Sequence, residues 1–209
     1  MKLQLAIDRV SKEKMFSIIT DCYQYTDIIE VGTSIIKEYG VEVIKQIKNE
    51  FKDVYIFADI KTNDEAEYEF ELYYKAGADC LSVMGTSSIE TIKKAQQIAQ
   101  KYNKDYSIDL METDSARIKQ LSQFNDAVFC IHVSMDSSES LIKQIERYRN
   151  LLPNISTISV AGGIDEDLLS VIRNCQVNIV IVGRFITSKS NIKENISNFY
   201  RKVKYESIN

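Results

Sequence analysis

Proline occurs once in this 209-residue chain, histidine once, and glycine only seven times. Chain breakers are too scarce for a linker, and there is no solenoid-type repeat or low-complexity tract. Positive charge is short as well. The 26 Lys and Arg against 30 Asp and Glu give a formal net charge of -4, leaving no excess to neutralise a phosphate polymer, so nucleic acid is not an expected partner. The most apolar stretch, 177–186, is far shorter than the run of about 20 residues a membrane helix needs. The first twenty residues carry Lys2, Asp8, Arg9, Lys12, Glu13 and Lys14, so no signal peptide is expected. The four cysteines, Cys22, Cys80, Cys130 and Cys175, form no C-x-x-C pair. Three sit in or beside apolar runs, where a free thiol packs as a small hydrophobe, and a reducing cytoplasm is the expected compartment.

With 44% apolar residues, the chain can bury a core without disulfides, and a single domain over residues 1–209 is the expectation. Eight short, nearly continuous apolar runs recur at 3–7, 27–31, 54–58, 80–84, 106–110, 127–131, 155–160 and 178–182. Such runs suit parallel strands buried on both faces. Amphipathic segments of helical length lie between them, at 12–23, 34–51, 64–76, 87–102, 113–124, 138–152, 165–174 and 191–205. Ser34, Asp64, Ser87, Thr113 and Asp165 are the expected N-caps. Gly40 falls inside the second helical segment, as a costly residue or a break, and Pro153 falls between a helix and a strand, where it interrupts no ladder.

Eight strand–helix units of about 26 residues predict an α/β fold, a closed (β/α)8 TIM barrel. A doubly wound open sheet normally carries a glycine-rich phosphate turn after its first strand. Here Asp8-Arg9-Val10-Ser11 has no glycine.

A barrel of this kind works at the carboxyl ends of its strands. Polar residues recur there: Asp8, Glu30, Asp59 with Lys61 and Asp64 just beyond, Asp109, and the lone His132. Any one carboxylate could be a cap or a surface charge, but five strands ending this way at one mouth point to a site. Glu30 and Asp59 sit among apolar neighbours, where an unpaired charge is costly. Together with substrate oxygens and water they form a hard-oxygen set for Mg²⁺. From spacing alone, a structural Asp59–Lys61 pair serves equally well. His132 is either structural or the group that moves protons near neutral pH. Gly162 and Gly163 follow the seventh run, and Gly183 and Arg184 the eighth. Those are the loops where barrels hold phosphate, so a small phosphorylated substrate is expected.

Taken in order, Leu3-Gln4-Leu5-Ala6-Ile7-Asp8, Ile29-Glu30-Val31-Gly32-Thr33, Ala58-Asp59-Ile60-Lys61-x-x-Asp64, Ile108-Asp109-Leu110-Met111, Ile131-His132, Ala161-Gly162-Gly163-Ile164 and Val182-Gly183-Arg184 resemble the orotidine 5'-monophosphate decarboxylase superfamily. Within it they resemble the 3-hexulose-6-phosphate synthases, nearly end to end. The resemblance implies a Mg²⁺-dependent aldolase that joins formaldehyde to D-ribulose 5-phosphate, reversibly and through an enediolate, giving D-arabino-hex-3-ulose 6-phosphate. It implies that Glu30 and Asp59 hold the metal, that Asp8 and Lys61 position substrate oxygens, and that His132 shuttles the proton. It further implies a homodimer in which Asp64 reaches the partner's site.

The alternatives are a decarboxylase of 3-keto-L-gulonate 6-phosphate or related sugar-phosphate lyase, and a binding protein without the chemistry. Asp109 matches the synthases, whereas the decarboxylases carry Glu there. The sequence departs from the synthase pattern at Thr62-Asn63, where Ile-Met is usual, which is expected to change the polarity of the mouth. It also departs after His132, where Val133-Ser134-Met135-Asp136 replaces Thr-Gly-Tyr-Asp, and Met135 occupies the place of the decarboxylases' Arg.

Overall fold

The computed structural model describes residues 1–132, 141–155 and 157–205. Eight parallel strands close into a barrel in sequence order: β1 (Lys2–Ile7), β2 (Ile28–Val31), β3 (Ile56–Thr62), β4 (Cys80–Met84), β5 (Asp105–Asp109), β6 (Val128–His132), β7 (Thr157–Ala161) and β8 (Ile179–Val182). Helices alternate with them: α1 (Lys12–Cys22), α2 (Thr33–Tyr39), α3 (Glu42–Glu50), α4 (Ala66–Ala76), α5 (Ile89–Tyr102), α6 (Ser115–Leu121), α7 (Leu141–Leu151), α8 (Glu166–Ile172), a one-turn α9 (Arg184–Thr187) and α10 (Ile192–Tyr205). The (β/α)8 expectation holds, with β1 hydrogen-bonded to β8 to complete the ring.

The strand runs look continuously apolar because both faces are covered, by different partners. Leu3, Leu5 and Ile7 of β1, Leu81 and Val83 of β4, and Phe129 and Ile131 of β6 face outward into the layer shared with the helices. Alternate residues point into the barrel, where Ile28, Phe57, Cys80, Cys130, Ile179 and Ile181 form a separate inner cluster. This period-two split follows from the pleat. The helices meet the outer layer with apolar stripes at helical spacing, as in Ile192, Ile196, Phe199 and Val203 of α10. Among the described residues, no helix is long and apolar enough to cross a membrane. The four cysteines are free thiols, three of them buried.

The second helical segment is two helices, because the chain leaves α2 at Gly40 with φ +64°. Of the expected N-caps only Asp165 serves, accepting from Leu168 N–H. The cap of α5 is Ser88 and that of α6 is Asp114, each one residue beyond the expected one. The hydroxyls of Ser87 and Thr113 instead donate to backbone carbonyls at and just past strand ends, those of Thr62 and Leu110. Ser34 lies inside the first turn of α2, whose cap position is Gly32, and its hydroxyl donates to Asp8. Asp64 stands one residue ahead of Glu65, the cap position of α4, and α4 has no side-chain cap. The corrections at Ser34, Ser87 and Thr113 share a physical cause: their hydroxyls are engaged by groups at the strand ends before they can serve a helix.

β3 runs through Thr62, so Asp59 and Lys61 lie within the strand rather than at and beyond its end. Its pairing with β4 is irregular. Ala58 pairs with Leu81 and Thr62 with Val83, so Asp59, Ile60 and Lys61 stand opposite Ser82 alone. This is an extended bulge, a device that re-aims side chains beside active sites.

Candidate active site

Asp59, Lys61, Asp109 and His132 meet at the carboxyl mouth of the barrel. The ammonium Nζ of Lys61 lies 2.6 Å from Asp109 Oδ2 and 3.3 Å from Asp59 Oδ2. His132 Nδ1 lies 3.2 Å from the same Asp109 oxygen. The other oxygen of Asp109 accepts from the Met111 amide at 2.9 Å. Although burial pushes the Asp109 carboxyl up, its hydrogen bond with His132 and the Lys61 charge outweigh this and hold it at about 2. An ionised carboxylate can only accept, so His132 Nδ1 carries the hydrogen and Nε2 is left as the basic nitrogen. Burial depresses the Lys61 ammonium, but Asp59 and Asp109 more than compensate and raise it above its usual value. Lys61 is therefore a fixed cation rather than a base.

Glu30 is buried on β2 and accepts from Gln4 Nε2 at 2.6 Å. Burial, with the neighbouring charge of Asp59, pushes its carboxyl up to about 8. Asp59 is held from two sides, by Ser82 Oγ at 2.7 Å and Thr33 Oγ1 at 2.6 Å. Glu30, Asp59, Lys61, Ser82, Asp109 and His132 border one cavity of about 30 Å³, roughly the space of a water molecule. Among the described residues no group of three His, Cys, Asp or Glu could hold a metal unaided. The Glu30–Asp59 pair nevertheless fits Mg²⁺, which commonly takes one or two carboxylates and completes its shell with substrate oxygens and water. A cation would also relieve the repulsion that raises Glu30.

Asp8 follows β1 at the rim, exposed, and accepts from Ser34 Oγ at 2.8 Å and Ser34 N at 3.3 Å. Its carboxylate packs against Gly32, where a Cβ would come within 2.2 Å of it, so glycine makes room for the acid. Asp64 is exposed between β3 and α4, and among the described residues its side chain makes no hydrogen bond or ion pair. Gly162 and Gly163 turn the chain after β7 with φ of +121° and +59°. Gly183 leads β8 into α9, whose first residue, Arg184, is exposed and without an ion pair among the described residues. Both loops follow carboxyl strand ends, so they open on the same end as His132.

Sequence reasoning missed Gln4, Thr33 and Ser82. The signal for two of them was a polar residue inside an apolar strand run, Leu3-Gln4-Leu5 and Leu81-Ser82-Val83. Thr62 corrects another expectation. It is buried and its hydroxyl donates to Glu69 on α4, so it faces the helix layer and does not alter the mouth. Asn63 is exposed and its Oδ1 accepts from Ser87 Oγ at 3.3 Å. Met135 and the segment after His132 lie outside the described residues. A larger cleft, of about 470 Å³, bordered by Arg149, Pro153 and Cys175, lies toward the amino ends of β7 and β8 and contains none of the predicted site residues.

Comparison with known proteins agrees with this fold. The sequence pattern of the family described as "Orotidine 5'-phosphate decarboxylase / HUMPS family" matches residues 1–199. A 3-hexulose-6-phosphate synthase of Bacillus subtilis is 30% identical over 202 residues, covering 94% of this chain and 96% of its own. The crystal structure of the 3-hexulose-6-phosphate synthase from Salmonella typhimurium superimposes with a TM-score of 0.90 at 27% identity, over 97% of this chain and 98% of that one. A 3-keto-L-gulonate-6-phosphate decarboxylase from Vibrio cholerae shares the fold, with a TM-score of 0.86 at 19% identity over 97% and 96% of the two chains. The chain belongs to the orotidine 5'-phosphate decarboxylase / HUMPS family, as an enzyme of the lyase kind similar to its 3-hexulose-6-phosphate synthases.

Proposed function

We propose that this enzyme is a Mg²⁺-dependent aldolase that condenses formaldehyde with D-ribulose 5-phosphate to D-arabino-hex-3-ulose 6-phosphate. The observation that carries the reading is Asp109 Oδ2 in contact with both Lys61 Nζ and His132 Nδ1. That contact sets a proton acceptor and a fixed cation side by side at the mouth. Asp109, rather than the Glu of the decarboxylases, supports the aldolase.

In this reading His132 Nε2 removes a proton from C1 of the sugar, and negative charge develops on the two oxygens of the enediolate. The Lys61 ammonium stabilises that charge more than it stabilises the neutral ketone, which lowers the barrier. C1 then forms the new bond to the formaldehyde carbon, and His132 returns its proton to the oxygen derived from the aldehyde. Asp109 keeps the imidazole in the required tautomer throughout. Glu30 and Asp59 would hold Mg²⁺, which when bound supplies Lewis-acid polarisation of the sugar oxygens. Asp8 orients hydroxyls at the rim. The Gly162–Gly163 turn, Gly183 and Arg184 take the phosphate, at a distance from the carbon that reacts.

Asp64, exposed and without a partner among the described residues, supports a homodimer in which this carboxylate completes the neighbouring site. The free thiols support a reducing cytoplasm as the compartment. The test is one assay of the purified protein with Mg²⁺, ribulose 5-phosphate and formaldehyde, run beside one with 3-keto-L-gulonate 6-phosphate. The aldolase reading expects condensation in the first. Release of carbon dioxide in the second without condensation in the first would make the enzyme a decarboxylase, and turnover in neither would leave a sugar-phosphate binding protein.

A further inference from the structure

We infer that Ser82 is a positioning residue of this site, and that it acts by holding the β3 bulge in the shape that delivers Lys61. The inference rests on the aldolase reading only for the reaction in which it is measured.

Ser82 alone faces three residues of β3 across the irregular β3–β4 ladder, so ordinary ladder pairing cannot fix that stretch. Its side chain takes over the task. Ser82 Oγ donates to Asp59 Oδ1 at 2.7 Å and accepts from the Lys61 backbone N–H at 2.9 Å. One hydroxyl therefore pins both ends of the bulge, and Ser82 is itself buried. Lys61 needs such a restraint because it sits at φ +48°, a left-handed conformation that non-glycine residues seldom adopt without support from their surroundings. In that conformation its ammonium reaches Asp109 and Asp59 at once. Without the hydroxyl, the Lys61 amide and one Asp59 oxygen lose their partner in a buried place, and β3 gains by relaxing toward a regular strand. The ammonium would then leave the position where charge develops.

Alanine removes both bonds, threonine keeps the hydroxyl, and cysteine fills the space with a weak hydrogen-bonding group. Ser82→Ala is expected to lower kcat about 30-fold or more while KM for ribulose 5-phosphate moves less than about threefold, because the phosphate loops are untouched. Ser82→Thr is expected to restore kcat to within about threefold of the parent enzyme. Should Ser82→Ala fail to fold, Ser82→Cys is expected to fold and to lose kcat on the same scale. Hydrogen exchange of the Lys61 amide, followed by NMR, reads the restraint without turnover. The amide should be protected in the parent and in Ser82→Thr, and should exchange at least about tenfold faster in the alanine or cysteine variant. A parent enzyme inactive on ribulose 5-phosphate and formaldehyde would refute the aldolase reading, and the exchange experiment would still decide the role of Ser82. Unchanged kcat in an active enzyme, failure of threonine to rescue, or equal Lys61 exchange in all variants would overturn the inference.

Discussion

Oδ2 of Asp109 receives two donors, Lys61 Nζ at 2.6 Å and His132 Nδ1 at 3.2 Å, so one atom sets both the cation and the proton acceptor of the site. Asp109→Asn removes the charge and offers its partners a neutral amide. The variant is expected to lose about 100-fold or more in kcat, worth about 2.7 kcal/mol of barrier. KM for ribulose 5-phosphate should stay within about threefold, because the proposed reading assigns the phosphate to the loops after β7 and β8, which the substitution leaves untouched. Steady-state kinetics check this, and a kcat within a few-fold of the parent would remove Asp109 from the mechanism.

Acid should weaken the fold through the same residue. The Asp109 carboxyl is held at about 2 in the fold, against a usual value of 3.8. A depressed acid contributes stability that is present above its unfolded value and is lost as pH falls through the folded one. Chemical denaturation between pH 5 and pH 2 should therefore show a decline from about pH 4 downward. The decline should be shallower in Asp109→Asn.

Glu30 has the opposite sign. Burial and Asp59 raise it from 4.5 to about 8, so its contribution is full below about pH 4.5 and is lost as pH rises through 8. In metal-free protein at pH 8, Glu30→Gln is expected to raise Tm by a few degrees, and in the presence of Mg²⁺ the same variant is expected to show no turnover. Mg²⁺ with ribulose 5-phosphate should stabilise the parent and not the variant. Thermal melts with and without the cation test this, and a lower metal-free Tm in the variant at pH 8 would count against a repelled Glu30–Asp59 pair.

Asp64 is exposed and does not border the barrel cavity, and the proposed homodimer gives it a role in the neighbouring site. Asp64→Asn and Asp8→Asn should each be nearly inactive alone. Mixed after dissociation and reassembly, they should recover part of the parent activity, since some sites in the mixed dimer carry both native acids. No recovery on mixing would disfavour a site shared between subunits.

The sequence made the barrel and most of its mouth legible because both rest on strand periodicity. Asp59, Lys61, Asp109 and His132 interrupt apolar runs at inward positions, and the pleat brings inward residues together whatever the loops do. The β3 bulge left no such trace. Which residue of β4 faces Asp59 depends on a register shift, and register is a property of two strands rather than one. Ser82 therefore does not stand out within the apolar run 80–84, and Thr62 read as a mouth residue although the pleat turns it toward Glu69. The helix starts slipped for a related reason. Ser34, Ser87 and Thr113 have good capping chemistry, but strand-end groups compete for it at short range.

The most direct measurement is exchange of the C1 hydrogen of ribulose 5-phosphate with solvent in D₂O, with Mg²⁺ present and formaldehyde absent. It isolates proton removal from bond formation. The parent enzyme is predicted to introduce deuterium at C1, and His132→Asn to introduce none while binding the sugar phosphate within about tenfold of the parent. No deuterium with the parent enzyme, or equal incorporation by both proteins, would contradict enediolate formation by His132.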